Sequence, residues 1–408
     1  MIFMRRLTHL VLYLQTKCSD YCLYLQMAKG YFTKVQEARY RNFGDDFDYE
    51  SFPKDLYDLY SVPIDYVSVA MEPAINNTSK KKYHYMTGFI AKNTINALTC
   101  DIDDGSIICI NSSVPLLLFR LCVQYAYCCD IQTALSSGNP IVTLYSQKAN
   151  IVGKLAHNEN FPHKIMQLYN SFKESEIYRC VKDCKKLKYA IYMYDLAARF
   201  LAMHECMHVV LGHTAYMKKK FGFSELYAFP QDDISNDKIL KKMQAIEFLS
   251  DCYTVAGVFR QSLIGNLCFD YLKYNDVKIT VDKECFVARS VVNALSVLFH
   301  LIPFNYEKLT DTIASKHAHP YIRLQWIISV FSTQLSNANN FKDYLIKPFA
   351  QAMVVFYENF NTLTDWIKVN ELNKIDEQGL LFSSESCDTI IKEAKSIEHL
   401  MKKFAPIY

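Results

Sequence analysis

The segment Leu201-Ala-Met-His-Glu-Cys-Met-His-Val-Val-Leu-Gly-His213 constrains this chain more than any other. His204, Glu205 and His208 stand in a run that is otherwise largely apolar, with Phe200, Leu201, Met207, Val209, Val210 and Leu211 around them. Such a run predicts a buried helix, and two imidazoles with a carboxylate are costly there without partners. On a helix, positions four apart differ by about 40°, so His204 and His208 project from one face. They can fill two corners of a zinc tetrahedron, which removes the burial cost. Glu205 points along the same side, where it can take a proton from a metal-activated water. The plain alternative is an amphipathic core helix with two satisfied histidines.

A third ligand must come from elsewhere. The H-E-x-x-H-x-x-G-x-x-H pattern of metzincins requires Gly at 211 and His at 214, where the chain has Leu211 and Thr214. His213 lies about 180° around the helix from His204, so it cannot close the site while the helix continues. It reads as a helix-end residue or one that backs a ligand, with Gly212 easing close packing. Glu247 is the better ligand, in Ala245-Ile-Glu-Phe-Leu-Ser-Asp-Cys-Tyr-Thr-Val-Ala256. It completes His₂Glu coordination with water in the fourth position. Asp251, one turn further on, can accept the free N–H of a ligating histidine. The competing reading is an exposed i,i+4 carboxylate pair, mildly unfavourable without a positive charge between.

The rest of the chain says where such a site can sit. Of 408 residues half are hydrophobic and 21% charged, which excludes a disordered tail or a collagen-like rod. With 11 Gly and 11 Pro, turns are sparse and long helices are expected. A net charge of +3 does not suggest a nucleic-acid partner. Fourteen cysteines occur without a C-x-x-C pair, which suggests reduced, mostly buried thiols in a cytoplasmic protein. Met1–Gln15 lacks the form of a secretory signal, and neither Val114–Cys129 nor Val291–Phe304 reaches the length of a membrane span. The lysine runs Lys80–Lys82 and Lys218–Lys220 read as solvated ends of elements.

Four regions are expected: an N-terminal extension over 1–60, a small sheet with a buried helix over 61–160, a helical catalytic core over 161–340, and a helical region over 341–408. From Tyr66 to about Leu144 the reading is of strands, chiefly Tyr83–Ile90, Ala97–Ile102 and Ser106–Asn111, with Asp103-Asp104-Gly105 as a hairpin turn. Val114–Cys129 is a helix packed on that sheet, Ser136–Pro140 a loop and Ile141–Tyr145 a further strand. Predicted helices are Lys185–Lys218, broken near its start, Asp237–Leu263, Val287–Leu301, Pro320–Leu335, Lys342–Leu363 and Ser384–Phe404. The fold class is α+β, mostly helical, with the small N-terminal sheet packed on the H-E-x-x-H helix.

His204–His208, the Glu247-x-x-x-Asp251 helix, and His319-Pro320 leading to Arg323 together resemble the gluzincin metallopeptidases. The likeness is strongest to the Lit-type phage-exclusion peptidases and extends to the HtpX and CAAX-prenyl-protease group. It covers roughly residues 85–335 and departs at Ser250, where the pattern usually has alanine, and in the short spacing from His319 to Arg323. The resemblance implies a zincin-like core with one zinc per chain and hydrolysis of an intracellular protein or peptide, with phage defence as the setting. It also brings Arg323 to the site as a residue backing the ligands.

In the expected reaction Glu205 is the general base. His319 is the oxyanion donor, with His317 and Tyr321 in reserve, and an extended substrate pairs with an exposed sheet edge near Ser106–Asn111. Two other readings stay open. One is a catalytically inactive sensor or partner-binding module in which the metal only ties helices together, its fourth position closed by His319 or Cys206. The other is a metal-dependent hydrolase of small molecules.

Overall fold

A computed structural model describes residues 43, 47–78, 84–92, 96–102, 105–128, 161–182, 185–222, 225–227, 237–264, 283–301, 323, 327, 384–401 and 403–405. Among them, helix α1 (Lys54–Asp65) runs through Pro63 into a π-helical stretch, Tyr66–Met71, and then α2 (Glu72–Thr78). Proline lacks the N–H that a regular ladder needs, and the wider turn follows directly on it. Strand was expected from Tyr66; the helical path up to Thr78 corrects that reading. The sheet begins later, with β1 (His84–Ile90), β2 (Ala97–Ile102) and β3 (Gly105–Asn111). Next come α3 (Ser113–Cys128), α4 (Phe161–Lys173), α5 (Glu176–Val181), α6 (Lys185–Val210), α7 (His213–Phe221) and β4 (Glu225–Tyr227). The remaining elements are α8 (Asp237–Ile264), α9 (Lys283–Leu301) and α10 (Ser384–Met401).

Among the described residues the sheet has four strands, in the order β1-β3-β2-β4. β2 and β3 form a hairpin whose last paired residues are Ile102 and Gly105, and β1 lies parallel to β3. β3 is therefore central and buried along its whole length, so Ser106–Asn111 cannot be the edge that accepts an extended chain. The outer strands are β1 and β4. β4 comes from beyond the H-E-x-x-H helix and was missed in the sequence, since three residues carry no periodicity.

Side-chain alternation gives the sheet two buried faces. Ile90, Leu98, Cys100, Ile107 and Cys109 pack with Phe43 on one face. Tyr85, Phe89, Ala97, Ile108, Ile110 and Leu226 join the main core on the other. The register aligns Thr87, Ile108, Thr99 and Leu226 in one row across the strands. α6 packs against this face and also against α3, α8 and α9. Enclosed on so many sides, α6 has no polar stripe over its second half: residues 200–210 are all buried.

α6 is unbroken from Lys185 to Val210, and the break expected near its start lies at its end. Gly212 adopts a left-handed conformation at φ 75°, stops α6 and caps α7. A Cβ at that position would stand 2.7 Å from the Ala405 nitrogen and 2.8 Å from the Phe404 carbonyl carbon. Only glycine suits both the dihedral and the approach of the C-terminal segment. α10 brings that segment in through buried Ile390, Ala394, Ile397 and Met401, with Lys242–Glu393 at 2.8 Å and a hydrogen bond from Tyr253 to Glu398 at 2.9 Å.

No helix among the described residues is long and apolar enough to cross a membrane. Cys100, Cys109, Cys122 and Cys206 are buried thiols. The loop 136–140, the strand 141–145, most of helices 320–335 and all of 342–363 lie outside the described residues.

Candidate metal centre

Two long helices supply the site. α6 presents His204 and His208 from successive turns, and α8 presents Glu247 opposite them. His204 Nε2 stands 3.1 Å from His208 Nε2 and 3.2 Å from Glu247 Oε2, and His208 Nε2 lies 3.4 Å from Glu247 Oε1. A tetrahedral ion with ligand bonds of about 2.0–2.1 Å has edges of about 3.3–3.4 Å, so the three donors are spaced as ligands of one ion. All three residues are buried, at 2%, 0% and 3% exposure. The three residues could hold a metal ion, and among the described residues they form the one such group; Cys206, though buried, is not part of it.

Behind these three residues is a charged network. His204 Nδ1 lies 2.9 Å from Asp251 Oδ1. Arg323 donates from Nε to Asp251 Oδ2 and from Nη2 to Oδ1, both at 2.8 Å, and its Nη2 is 3.6 Å from Glu247 Oε2. That fork is the strongest geometry available to an arginine and a carboxylate. The guanidinium also sits 5.1 Å from the Phe299 ring centre, and Phe299 meets Phe200, which stacks on His204. Burial opposes the charged form of His204, but Asp251 and Glu247 outweigh it and bring its pKa up to about 10. A cation in place of that proton satisfies the same two carboxylates. Burial raises Asp251, but Arg323 and His204 together more than offset it, so its carboxyl ends below the usual range.

Glu205, next to His204 on α6, also meets the sheet. Thr99 on β2 donates from Oγ1 to Glu205 Oε2 at 2.6 Å, and both residues are fully buried. Glu205 Oε1 has no hydrogen-bond partner among the described residues. Burial pushes the carboxyl up to about 7, against the lowering influence of His204 and the Thr99 hydroxyl. A carboxylate poised near neutrality can give and take a proton at ordinary pH. Thr99 was missed in the sequence: one threonine in a β-branched run carries no signal until the register is known.

His213 opens α7 beyond the Gly212 turn. Its Nδ1 lies 3.1 Å from His208 Nδ1, on the side of that ring away from Glu247. Ser250, on α8, completes a triangle at 3.3 Å from each of these nitrogens. The structure thus brings together His204, Glu205, His208, His213, Glu247, Asp251 and Arg323. His319, with His317 and Tyr321, lies outside the described residues. No family model, curated protein or solved structure matches the chain.

Proposed function

We propose that this chain is a zinc-dependent endopeptidase of gluzincin type, with His204, His208 and Glu247 as its ligands. The observation that carries the reading is a buried, convergent His-His-Glu set with a second carboxylate, Glu205, on the adjoining position of the same helix. A site that only held helices together would need no general base. Zinc, when bound, supplies polarisation of a carbonyl and acidification of a water molecule.

The remaining work belongs to the chain's own groups. Glu205 takes the proton of the attacking water at Oε1 while Thr99 holds Oε2. The proton then passes from Glu205 to the leaving amine. Asp251 and Arg323 keep His204 in place, and His319 is the proposed donor to the oxyanion. An intracellular protein or peptide is the proposed substrate, phage defence the proposed setting and the cytoplasm the proposed location.

The test is metal content and cleavage together. Purified chain should carry about one zinc, and Glu205→Gln should retain it while abolishing the new protein termini that wild type generates in a proteome. Unaltered cleavage by the variant rejects the mechanism.

One observation favours a second reading, a metal-stabilised module without activity. Every residue of the cluster is at most 3% exposed. A cobalt-substituted protein whose spectrum shows four protein ligands and no exchangeable water would decide for that alternative.

A further inference from the structure

Each ligating imidazole has a second nitrogen whose proton needs a receiver, and the two receivers here differ in kind. His204 is backed by Asp251, a carboxylate clamped by Arg323. Behind His208 stand Ser250 and His213, neither of them an acid. All three members of that second group are fully buried, and they come from three elements: α6, α7 and α8.

The tautomers follow from geometry. His208 Nε2 is the nitrogen that converges with His204 Nε2 and Glu247, so a bound ion requires its lone pair. The ring proton then sits on Nδ1 and must be donated. Among the described residues, acceptors in reach include His213 Nδ1 at 3.1 Å and Ser250 Oγ at 3.3 Å. If His208 donates to Ser250, the hydroxyl in turn donates its own hydrogen bond to His213 Nδ1, also at 3.3 Å. By either route His213 Nδ1 is the final acceptor, which leaves the proton of His213 on Nε2. That atom is buried and has no hydrogen-bond partner among the described residues. A buried donor held in such a state points to a constraint elsewhere, here the demand for an acceptor at Nδ1.

Charge explains why the backing is neutral. Glu205, Glu247 and Asp251 already place three carboxyl groups around one arginine in a buried site. A fourth behind His208 would add a like charge where solvent cannot screen it. We propose that Ser250 and His213 act as a neutral acceptor pair that holds His208 as the Nδ1–H tautomer and commits its Nε2 to a divalent metal ion. The proposal rests on the reading of His204, His208 and Glu247 as ligands.

The experiment uses the full chain and zinc alone, with affinity read by chelator competition and the His208 ring read by ¹⁵N NMR. Ser250→Ala should weaken zinc a few-fold, since His208 can still reach His213. His213→Phe should cost more, and the two together about 10- to 100-fold. His213→Asn, which keeps an acceptor near the same place, should recover most of the loss. The NMR of zinc-loaded wild type should show the His208 proton on Nδ1, and Ser250→Ala should move that resonance. Wild-type affinity in the double variant, or zinc bound through His208 Nδ1, overturns the proposal. If the double variant does not fold, Ser250→Ala and His213→Asn decide by the same NMR signal: a His208 Nδ1–H resonance unmoved in both overturns it. A wild-type chain that takes up no zinc overturns the ligand reading itself, a distinct result.

Discussion

The two sides of the H-E-x-x-H turn meet different surroundings. Towards the sheet, Glu205 finds one neutral hydroxyl, that of Thr99, and its carboxyl is pushed up to about 7. Towards α8, His204 finds Asp251 and Glu247 with Arg323 behind them, and its imidazole is brought up to about 10. One side is suited to a proton that comes and goes. The other holds fixed charge that a cation can balance. A single turn of helix serves both because its neighbours are a strand on one side and a charged helix on the other.

The strongest way to break this contrast is to remove the carboxylate at the centre of the charged side. Glu247→Ala should abolish stoichiometric zinc, measured by metal analysis, and take from His204 Nε2 its carboxylate partner, while Asp251 still holds Arg323. A cost of about 3–5 kcal/mol in metal-free denaturant unfolding is expected, as for other broken buried ion networks.

Next in size is Arg323→Met, which strands Asp251 and should destabilise the chain by about 3 kcal/mol. Adding Asp251→Asn should cost less than the sum of the two single changes, since each already breaks the same pair. Strict additivity in urea unfolding would show the fork to be unimportant.

pH should separate the metal-free from the metal-loaded protein. Without an ion, His204 titrates near 10 in the fold against 6.5 as an ordinary histidine, and Glu205 near 7 against 4.5. Both values are raised, so both groups bind protons more tightly when folded. Their stabilisation is complete below the lower values and fades as pH rises through the upper ones. Thermal midpoints of the metal-free chain should therefore fall between about pH 5 and 10, while zinc, which competes with those protons, should bind more tightly over that range. A gap between the two midpoints that does not widen with pH would contradict the charge assignment.

The smallest effect sharpens the sheet side. Thr99→Val should cost about 1 kcal/mol, the net worth of a buried hydrogen bond, and push the Glu205 carboxyl higher still, because the hydroxyl now lowers it. Infrared bands of the carboxyl group should report the change, and Thr99→Ser should leave them near wild type. Zinc affinity should be unaffected by either.

Several of these features were legible before any coordinates. The strands 84–90 and 97–102, the hairpin and the helices 185–210, 237–264, 283–301 and 384–401 follow from alternation, turn residues and apolar runs. The stretch 66–78 misled because Val67, Val69 and Ile75 have β-branched character that the packing of Tyr66, Val67, Met71 and Ile75 into the main core overrides. The break in α6 was placed at the wrong end, although Gly212 was its visible cause. What Gly212 meets, the backbone at 404–405, could not be read from nearly 200 intervening residues.

Local spacing alone determined that His204 and His208 share a face and that Glu205 is beside them, since a helix repeats every 3.6 residues whatever surrounds it. Partners from distant segments were decided only when the chain closed on itself: Thr99 behind Glu205, Arg323 behind Asp251, and Ser250 with His213 behind His208. The physical reason is that a helical period orients side chains over a few residues, while a hydrogen bond between buried groups depends on strand register and helix packing, which the whole core sets.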